Sequence, residues 1–458
     1  MKVIICGAGQ VGHNIARYLA QEDNDVTVID QRPELSRKIS DTLDVKAITG
    51  FASHPNVLAQ AGASDADMLI AVTQADEVNM LACQVAHSLF DVTTKIARIR
   101  QQGYMDPKWA NLYSRDQLPI DVVISPELEV ARAVARRLRV PGTFDMISLV
   151  DDKVKAVGVR CGENCPLVNT PLRQLTQLFP DLNVVIVGLV RDNKAIIPNA
   201  DDQMLTGDEV YFVADSEHVT RAMSAFGYED TEARRMVVFG GGNIGQFLAQ
   251  EIETNHPSVN LKVVESDKSR SEIVARTMKR SVVLHGSVLD TEILEEANVA
   301  LSEAVVSVTN DDETNILSSL LAKSMGAQRA ITLINSATYI PLTPSLGIDV
   351  AVIPRNITVS TILQHVRRGK IHSVHTIRDG FGEVIEAEAM ETSSLVNVPL
   401  SEAELPNGVL VGSIVRDGEV ISPRSDTVVQ VKDRVVLFAS AEAVKQVEKM
   451  FAVQLEYF

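Results

Sequence analysis

The stretch Lys2–Gly12 reads KVIICGAGQVG, an apolar run followed directly by glycines at positions 7, 9 and 12. The stretch Arg235–Gly245, RMVVFGGGNIG, has the same pattern more than two hundred residues later. A strand that runs into Gly-x-Gly-x-x-Gly and then into a helix is typical of a phosphate-binding turn. The sequence therefore predicts two such turns in one polypeptide.

The repetition extends well beyond the glycines, in nearly constant register. Val28-Ile29-Asp30 recurs as Val263-Val264-Glu265, and Val72–Asn79 (VTQADEVN) recurs as Val308–Asn315 (VTNDDETN). A single chance motif does not produce such a series, so each glycine motif is expected to open a complete duplicated unit.

A different repeat follows each of these units. Val190-Arg191-Asp192 and Gly207-Asp208 match Val415-Arg416-Asp417 and Lys432-Asp433. We call the first kind of unit N-type and the second kind C-type, and the chain reads N, C, N, C. The predicted segments are 1–124, 141–228, 233–354 and 368–452, with boundaries near Pro141-Gly142, Asp230–Arg234 and Arg367–Gly369, where turn formers or charges interrupt the apolar pattern.

Short β-branched runs alternate with amphipathic helical patterns in the N-type units. In the first unit the predicted helices include Val11–Leu19 and Glu77–Phe90, and the predicted strands are Val3–Ile5, Asp25–Ile29, Val45–Ile48, Met68–Val72 and Lys95–Ile99. This alternation predicts an α/β fold, with two Rossmann-like doubly wound parallel sheets. The C-type units are predicted to be small α+β modules, with strands at Val184–Leu189 and Glu209–Val213 and a helix at Ser216–Phe226.

The composition excludes several classes of function. A formal charge of −17, with no block of like charges, disfavours binding to nucleic acid or to anionic lipid. Apolar stretches fall far short of the roughly 20 residues that cross a bilayer, and no signal peptide is recognisable, so a cytoplasmic chain without membrane insertion is expected. Four cysteines are too few for a disulfide framework. Cys161 and Cys165 are interpreted as ordinary thiols, since no second ligand pair completes a zinc site.

The glycine motif and the acid that follows it predict a dinucleotide site in each N-type unit. The first glycine permits the tight turn, the second lets a pyrophosphate approach the backbone, and the third lets the helix pack closely on the sheet. The phosphates are expected on free N–H groups at the helix N-terminus. Asp30 and Glu265 are expected to accept hydrogen bonds from the adenosine ribose, and their charge favours NAD(H) or another adenosine nucleotide over NADP(H).

Other candidates lie at the carboxyl ends of later strands. Phe51-Ala52 and Gly286-Ser287 follow the third strands, where the adenine is expected. Thr73 and Thr309 end the fourth strands, and each is either a contact to the nicotinamide ribose or a helix N-cap. Arg98 lies on a predicted core strand, and its partner is either a ligand phosphate or an internal carboxylate.

These motifs resemble the TrkA family, peripheral regulatory subunits of bacterial Trk potassium uptake systems built from two tandem RCK units. The most specific segments are the two glycine motifs, Gly50–Pro55, Asp65–Met68, Ile96–Arg100 and Thr309–Asn315. The resemblance implies a cytoplasmic ring of four chains beneath a membrane potassium channel subunit of the TrkH or TrkG type. It implies NAD(H), and in some members ATP or ADP, as the ligands.

Residue by residue, the resemblance and the motifs together give the candidate ligand-binding set: Gly7, Ala8, Gly9, Gln10, Val11, Gly12, Asp30, Phe51, Ala52, Thr73 and Arg98 in the first unit, and Gly240, Gly241, Gly242, Asn243, Ile244, Gly245, Glu265, Gly286, Ser287 and Thr309 in the second. No catalytic residue and no metal ligand is predicted. The second unit departs from the family pattern, because Ser287 stands where an Asp is usual and Leu333 stands near the position of Arg98.

Two alternatives to a nucleotide-sensing regulator remain. An NAD-dependent oxidoreductase could use the same fold, but no histidine forms a recognisable dyad with an acid, and a catalytic domain would rarely be duplicated in step with its cofactor site. A scaffold that has lost ligand binding would be expected to replace the glycines or the acids, and both copies retain them. A regulator that is not an enzyme is therefore the preferred hypothesis.

Overall fold

A computed structural model describes residues 1–21, 24–140, 142–178, 182–192, 194–228, 233–336, 338–343, 345–366, 370–377 and 381–451. The chain divides into two compact units, and each contains the parallel sheet of one N-type repeat. The first contains Met1–Glu129 together with Pro354–His365, and the second contains Val130–Ile353 together with Val366–Phe458.

The first unit is built on a parallel sheet of six strands in the order β3-β2-β1-β4-β5-β6. The alternation of β-branched runs and helices correctly predicted this doubly wound arrangement. Its strands are β1 Lys2–Cys6, β2 Asp25–Asp30, β3 Lys46–Thr49, β4 Met68–Ala71, β5 Thr94–Arg98 and β6 Val122–Ile124. The first four helices are α1 Gln10–Gln21, α2 Pro33–Thr42, α3 Pro55–Gln60 and α4 Asp76–Phe90.

The second unit contains a parallel sheet of the same topology, in the order β14-β13-β12-β15-β16-β17. Its strands are β12 Arg235–Phe239, β13 Asn260–Glu265, β14 Val282–His285, β15 Ala304–Ser307, β16 Ala330–Leu333 and β17 Val350–Val352. The helices between them are α8 Asn243–Asn255, α9 Lys268–Thr277, α10 Thr291–Glu296 and α11 Asp312–Met325. The duplicated sequence therefore folds as a duplicated sheet.

Helices follow the last strand of each parallel sheet. They are α5 Pro126–Arg139 and α12 Pro354–Val366. Both begin with proline, which suits the first helical position because an N–H group there would have no acceptor within the helix.

Each C-type module is an antiparallel sheet of five strands, and both sheets lie in the second unit. The first has the order β10-β9-β11-β8-β7, with β7 Thr143–Leu149, β8 Val154–Arg160, β9 Val184–Arg191, β10 Lys194–Ile196 and β11 Glu209–Asp215. The second has the order β18-β19-β22-β20-β21, with β18 Ile371–Ile377, β19 Gly382–Glu388, β20 Val409–Arg416, β21 Glu419–Ile421 and β22 Arg434–Ser440. Their helices are α6 Leu172–Leu178, α7 Val219–Ala225 and α13 Val444–Met450.

The two C-type modules share one hydrophobic core. Tyr211 of the first module lies against Phe381 of the second, with ring centroids 6.3 Å apart, and Phe381 packs on Phe438 at 5.1 Å. Val187 and Val213 belong to the same buried cluster. Burial of apolar area on this scale is the main favourable term in such packing, so the modules stabilise each other.

The repeated Arg and Asp of the C-type sequence form one ion pair per module. Arg191 makes a two-pronged contact with Asp208 at 2.9 and 2.7 Å, and Arg416 does the same with Asp433 at 2.9 and 2.8 Å. Both carboxylates are buried and also accept backbone N–H groups. The hydrogen bonds to these carboxylates raise the pKa of both arginines above the usual range. The repeat motif is therefore a structural ion pair.

The predicted segment boundaries lie wholly or partly outside the described residues, because 141, 229–232 and 367–369 are not among them. The division into four segments therefore stays a prediction. Among the described residues, no helix has both the length and the apolar character needed to span a bilayer.

Glu253, on helix α8, anchors the turn between α9 and β14. Its carboxylate accepts N–H groups of Lys279, Arg280 and Ser281 at 2.7 to 2.9 Å, and the Ser281 hydroxyl at 2.8 Å. Burial alone would raise the pKa of Glu253, but these hydrogen bonds together outweigh it and lower the pKa to about 2.

A carboxyl group whose pKa is depressed in the folded state stabilises the fold above its unfolded pKa, near 4.5, and loses that contribution as the pH falls towards 2. We therefore expect Glu253→Gln to lower the free energy of unfolding at pH 7, and the gap to wild type to shrink below pH 4.5. Urea unfolding between pH 7 and pH 3 measures this difference in the free energy of unfolding. Glu251→Gln, on the same helix, is the control, and a gap that stays constant with pH contradicts the assignment.

Candidate functional site

The glycine turn of the first unit is built around a backbone that excludes side chains. Gly7 has a φ of +111°, a conformation that residues with a Cβ rarely adopt. A Cβ on Gly12 would lie 1.8 Å from the carbonyl oxygen of Gly7. Helix α1 can therefore approach the turn this closely only because Gly12 has no side chain. Gly240 and Gly245 repeat both features, with a φ of +105° and a Cβ distance of 2.0 Å.

The middle glycine differs from these two. A Cβ on Gly9 would meet no atom within 4 Å, so the absence of a side chain there serves no internal packing. In the second unit, a Cβ on Gly242 would lie 3.6 Å from Nη1 of Arg270. The space above the glycine turn is thus open in the first unit and has a guanidinium group beside it in the second.

The start of each following helix faces this space with unpaired donors. Helix α1 begins at Gln10 and α8 begins at Asn243, and the first intrahelical bonds run from His13 N–H to Gly9 and from Gln246 N–H to Gly242. The N–H groups of the first helical turn, including that of Val11, have no partner within the helix. Such groups and the helix dipole attract an anion, and the binding of phosphates there stays a prediction.

The acid at the end of the second strand anchors the glycine turn, a role that the sequence did not predict. Asp30 accepts the Ala8 N–H at 2.7 Å and the Arg32 N–H at 2.8 Å. In the second unit, Glu265 accepts the Gly241 N–H at 2.6 Å and the Asp267 N–H at 2.8 Å. Each carboxylate oxygen can accept a further hydrogen bond, so the predicted contact to the ribose remains compatible with this anchoring.

The turns after the third strands are different in the two units. Phe51 is 51% exposed and stacks on His54, with ring centroids 5.1 Å apart, while Ala52 is buried. In the second unit, a Cβ on Gly286 would lie 2.6 Å from the Ile293 side chain, so this glycine is required for packing. The Ser287 hydroxyl accepts the Leu289 N–H at 3.2 Å. An exposed aromatic platform is therefore present at this turn only in the first unit.

The threonines at the ends of the fourth strands are held by a buried asparagine. Asn79 Oδ1 accepts the Thr73 N–H at 2.9 Å and the Thr73 hydroxyl at 2.6 Å, and its Nδ2 donates to the carbonyls of Thr73 and Arg98. Asn315 holds Thr309 and the Leu333 carbonyl in the same way. The sequence reasoning missed this clamp, although the asparagine recurs at the same offset in both copies.

The alternative role of these threonines as N-caps is wrong. The N-cap residues are Ala75 for helix α4 and Asp311 for helix α11, and the Asp311 side chain accepts the Thr314 N–H. Each threonine lies two residues earlier, where its hydroxyl accepts the N–H of the cap residue at 3.4 and 3.3 Å. The N-cap of each helix is therefore the residue two positions after the threonine.

A second buried acid fixes the loop that follows the fifth strand. Asp76 accepts the N–H groups of Arg100 and Gln101 at 2.8 to 3.0 Å. Asp312 does the same for Asn335 and Ser336. Both acids lie in the first turn of a helix, where an acid is ordinary, so the sequence gives no sign of these contacts.

Arg98 lies at the end of β5, and its buried Nε has no hydrogen-bond partner in the part of the chain that the structure describes. Burial lowers the pKa of Arg98, and the nearby charges of Glu127 and Asp76 act in the opposite direction. The two carboxylates therefore lie close enough to affect the pKa of Arg98, yet neither accepts a hydrogen bond from its Nε. Leu333, at the end of β16, provides no such donor in the second unit.

Comparison with known proteins assigns the chain to a protein family. The sequence models of the TrkA-N domain match residues 3–126 and 236–354, and those of the TrkA-C domain match residues 156–227 and 384–452. The chain belongs to the TrkA family. The matching segments of the TrkA family follow the same N, C, N, C order as the repeats.

Curated members of the TrkA family are similar to the chain over its whole length. The Trk system potassium uptake protein TrkA of Azorhizobium caulinodans is 54% identical, with all of both chains covered. The protein of the same name from Halomonas elongata is 41% identical over all of both chains, and that from Vibrio alginolyticus is 38% identical over 98% of both.

Solved structures share the fold at low identity. The GsuK RCK domain matches with a TM-score of 0.60 and 15% identity, covering 98% of this chain and 94% of the other. The GsuK channel bound to NAD matches with a TM-score of 0.59 and 16% identity, covering 98% of this chain and 78% of the other. These matches confirm the fold of tandem RCK units.

Two glycines of the first turn, Gly9 and Gly12, should respond differently to alanine. We expect Gly12→Ala to lower the free energy of unfolding by about 3 kcal/mol, because the new Cβ overlaps the Gly7 carbonyl and helix α1 must shift. Gly9→Ala, where the space is open, should cost about 1 kcal/mol or less, as expected for a helix N-cap position. Urea unfolding of both variants tests this, and equal losses would contradict it.

The asparagine clamp should be important for stability. We expect Asn79→Ala to lower the free energy of unfolding by about 1–3 kcal/mol, because partly buried backbone groups of Thr73 and Arg98 lose their partner. Asn315→Ala should behave alike in the second unit. Thermal melting and hydrogen exchange of the loops around Thr73 and Thr309 measure the effect, and unchanged protection there would show that the clamp is dispensable.

Proposed function

We propose that the chain is the peripheral cytoplasmic regulatory subunit of a Trk-type potassium uptake channel, and that it binds NAD(H) or an adenine nucleotide at its two Rossmann sites. Membership of the TrkA family supports the potassium-uptake part of this proposal, since its curated relatives carry that name over their whole length. The GsuK channel of the same fold has been described bound to NAD, which makes a dinucleotide the natural first ligand to test.

One observation carries the nucleotide-binding proposal. In the first unit, the open space above Gly9 faces the free N–H groups of helix α1, and the unpaired Nε of Arg98 lies on the same carboxyl edge of the sheet. An anionic group at the first position and an acceptor at the second are what a dinucleotide extended along that edge supplies. The residues present therefore fit the ligand.

The candidate set keeps the roles given by the motifs. Gly7 to Gly12 and Gly240 to Gly245 would hold the phosphates, and Asp30 and Glu265 would bind the adenosine ribose. Phe51 and Ala52, or Gly286 and Ser287, would lie by the adenine. Thr73, Thr309 and Arg98 would lie towards the other end of the ligand.

Regulation would follow from differential binding. A nucleotide can shift the channel between two states only by the difference in its affinity for them. The sites lie in the N-type domains, so a change in their packing against neighbouring copies would carry the signal. We propose a ring of four chains seated on a channel subunit of the TrkH or TrkG type, with attachment to the membrane through that partner alone.

An oxidoreductase is the less favoured alternative. Hydride transfer requires a group that gives or takes a proton beside the nicotinamide. Of the residues proposed for that end of the ligand, Thr73 donates its hydroxyl to Asn79 Oδ1 at 2.6 Å, and Arg98 carries a guanidinium group. Neither side chain readily gives or takes a proton near neutral pH, so we propose a role without catalysis.

Calorimetric titration of the whole chain tests the proposal. We expect NAD⁺, NADH and ADP to bind, and NADPH to bind at least about tenfold more weakly, because Asp30 and Glu265 repel its 2′-phosphate. Gly9→Asp and Gly242→Asp should each remove one binding event per chain, since each places a carboxylate where the phosphates would lie. Aspartate is also a good N-cap, so the helix is preserved.

Controls separate the possible outcomes. Gly162→Asp adds the same charge at another glycine with open surroundings, in the first C-type module, and should leave both binding events intact. Potassium flux in vesicles that contain the channel subunit should then respond to nucleotide with the wild-type chain and not with the double variant. Absence of nucleotide binding would refute the sensor role, and consumption of NADH on addition of small-molecule cell extract would support the oxidoreductase.

A further inference from the structure

Four buried polar atoms lie at one edge of the first Rossmann sheet without a hydrogen-bond partner among the described residues. They are Nε of Arg98, Nε2 of Gln102, Oγ of Ser125 and Oε2 of Glu127. Ser125 and Glu127 are only 3% and 7% exposed. We call these four residues the β5–β6 cluster.

The topology brings the cluster together. Arg98 ends β5 and is the register partner of Ile124, the last residue of β6. Ser125 comes directly after β6, and Glu127 lies in the first turn of helix α5. Gln102 opens the short 3-10 turn that follows β5. All four residues therefore lie at the carboxyl ends of two neighbouring strands.

Glu127 is only half satisfied. Its Oε1 accepts a hydrogen bond from Nε of Arg100 at 2.7 Å, and its Oε2 remains buried without a donor. Buried polar groups in folded proteins are almost always paired, and an unpaired group costs free energy. Four such atoms at the carboxyl ends of two neighbouring strands indicate a position that a polar partner fills.

The hydrogen-bonding capacities of the cluster define that partner. Arg98 Nε and Gln102 Nε2 can only donate, Glu127 Oε2 as a carboxylate can only accept, and the Ser125 hydroxyl can do either. A phosphate offers acceptors alone, so it would leave Glu127 unpaired and be repelled by its charge. A primary carboxamide offers a carbonyl acceptor and an NH₂ donor, and it satisfies both kinds of atom.

The position on the sheet matches one end of a dinucleotide. In a doubly wound sheet of this order, the ligand crosses the switch point between β1 and β4, with the adenosine towards β2 and β3. The nicotinamide half then lies towards β5 and β6. The chemistry and the topology thus point to the same group.

We propose that Arg98, Gln102, Ser125 and Glu127 bind the carboxamide of the nicotinamide ring and make the first site selective for NAD(H). This inference rests on the proposed nucleotide-binding function. The carboxamide oxygen accepts from Arg98 and Gln102, and its NH₂ group donates to Glu127. Adenine nucleotides without nicotinamide leave the cluster unsatisfied and gain nothing from it.

The second unit lacks the same side chains. Leu333 ends β16 where Arg98 ends β5, and Ile353 follows β17 where Ser125 follows β6. Its site therefore has no matching way to recognise a carboxamide. The two sites of one chain then differ in selectivity, with the first reading nicotinamide and the second reading the adenosine and phosphates.

The test compares NAD⁺ with nicotinic acid adenine dinucleotide, in which a carboxylate replaces the carboxamide. In the Gly242→Asp chain, which keeps only the first site, we expect NAD⁺ to bind at least about tenfold more tightly than the acid analogue. Glu127→Gln should reduce that preference to about threefold or less, because its amide no longer repels the carboxylate and can donate to it. The variant keeps an oxygen for Arg100.

Matched variants distinguish a binding role from a structural one. Glu77→Gln removes the same charge from an exposed position in the same unit and should leave the preference unchanged. Ser125→Ala provides a second probe should Glu127→Gln unfold, and it should weaken NAD⁺ several-fold while leaving ADP affinity unchanged. In the Gly9→Asp chain, the second site should bind NAD⁺ and the acid analogue within about threefold of each other.

The outcomes separate this inference from the function on which it rests. If the Gly242→Asp chain binds no nucleotide, the proposed first site itself is refuted. If that chain binds NAD⁺ and the acid analogue equally, or if Glu127→Gln leaves the preference intact and Ser125→Ala leaves the NAD⁺ affinity intact, the site stands and the role of the cluster is refuted. Equal loss of ADP and NAD⁺ in both variants also overturns it, because a general loss of structure would then explain the effect.

Discussion

The close approach of helix α1 to the carbonyl of Gly7 is the constraint on which the first Rossmann site depends. A Cβ on Gly12 would overlap that oxygen, so the helix reaches its place only with glycine there. The approach aims the first turn of the helix at the space above Gly9, and Asp30 secures the turn from the other side through the Ala8 N–H. The geometry of the proposed phosphate site is therefore a product of backbone packing, before any ligand contributes.

Comparison of the two copies shows which features both sheets share and which differ between the two proposed sites. Both units keep the glycine contact, the acid that anchors the turn, and the buried clamps made by Asn79 and Asn315. They differ at the end of the fifth strand, where Arg98 in one copy corresponds to Leu333 in the other. The shared contacts all hold the backbone of loops at the strand ends, and each sheet needs them to form these loops. Side chains at the strand ends differ between the copies, so the two proposed sites offer different groups to a ligand.

Local patterns in the sequence predicted the parts of the structure that depend on neighbouring residues. The strands Val3–Ile5 and Met68–Val72 lie within a residue of β1 and β4, and both glycine turns have the predicted backbone. The short strand β6 was missed, because three residues are too few for a periodic signal. Glu127 was missed for another reason: an acid after a proline is ordinary at a helix start, and only the pairing of β5 with β6 brings it to Arg98.

Contacts between distant segments also escaped prediction. Asp76 looked like a first-turn acid of a helix, yet it holds the backbone of Arg100 and Gln101 across the sheet edge. The repeat marked Arg191 and Asp208 as notable without showing that they pair. In each case a local motif was visible, and the partner was fixed by topology that the motif does not encode.

The common core of the C-type modules has a consequence for synthesis on the ribosome. Tyr211 and Val213 emerge long before Phe381 and Phe438, which complete the same buried cluster. At about 5–20 residues per second, the apolar face of the first module waits on the order of ten seconds or more for its counterpart. During that interval it is a surface on which a chaperone, or a neighbouring nascent chain, can compete with the native partner.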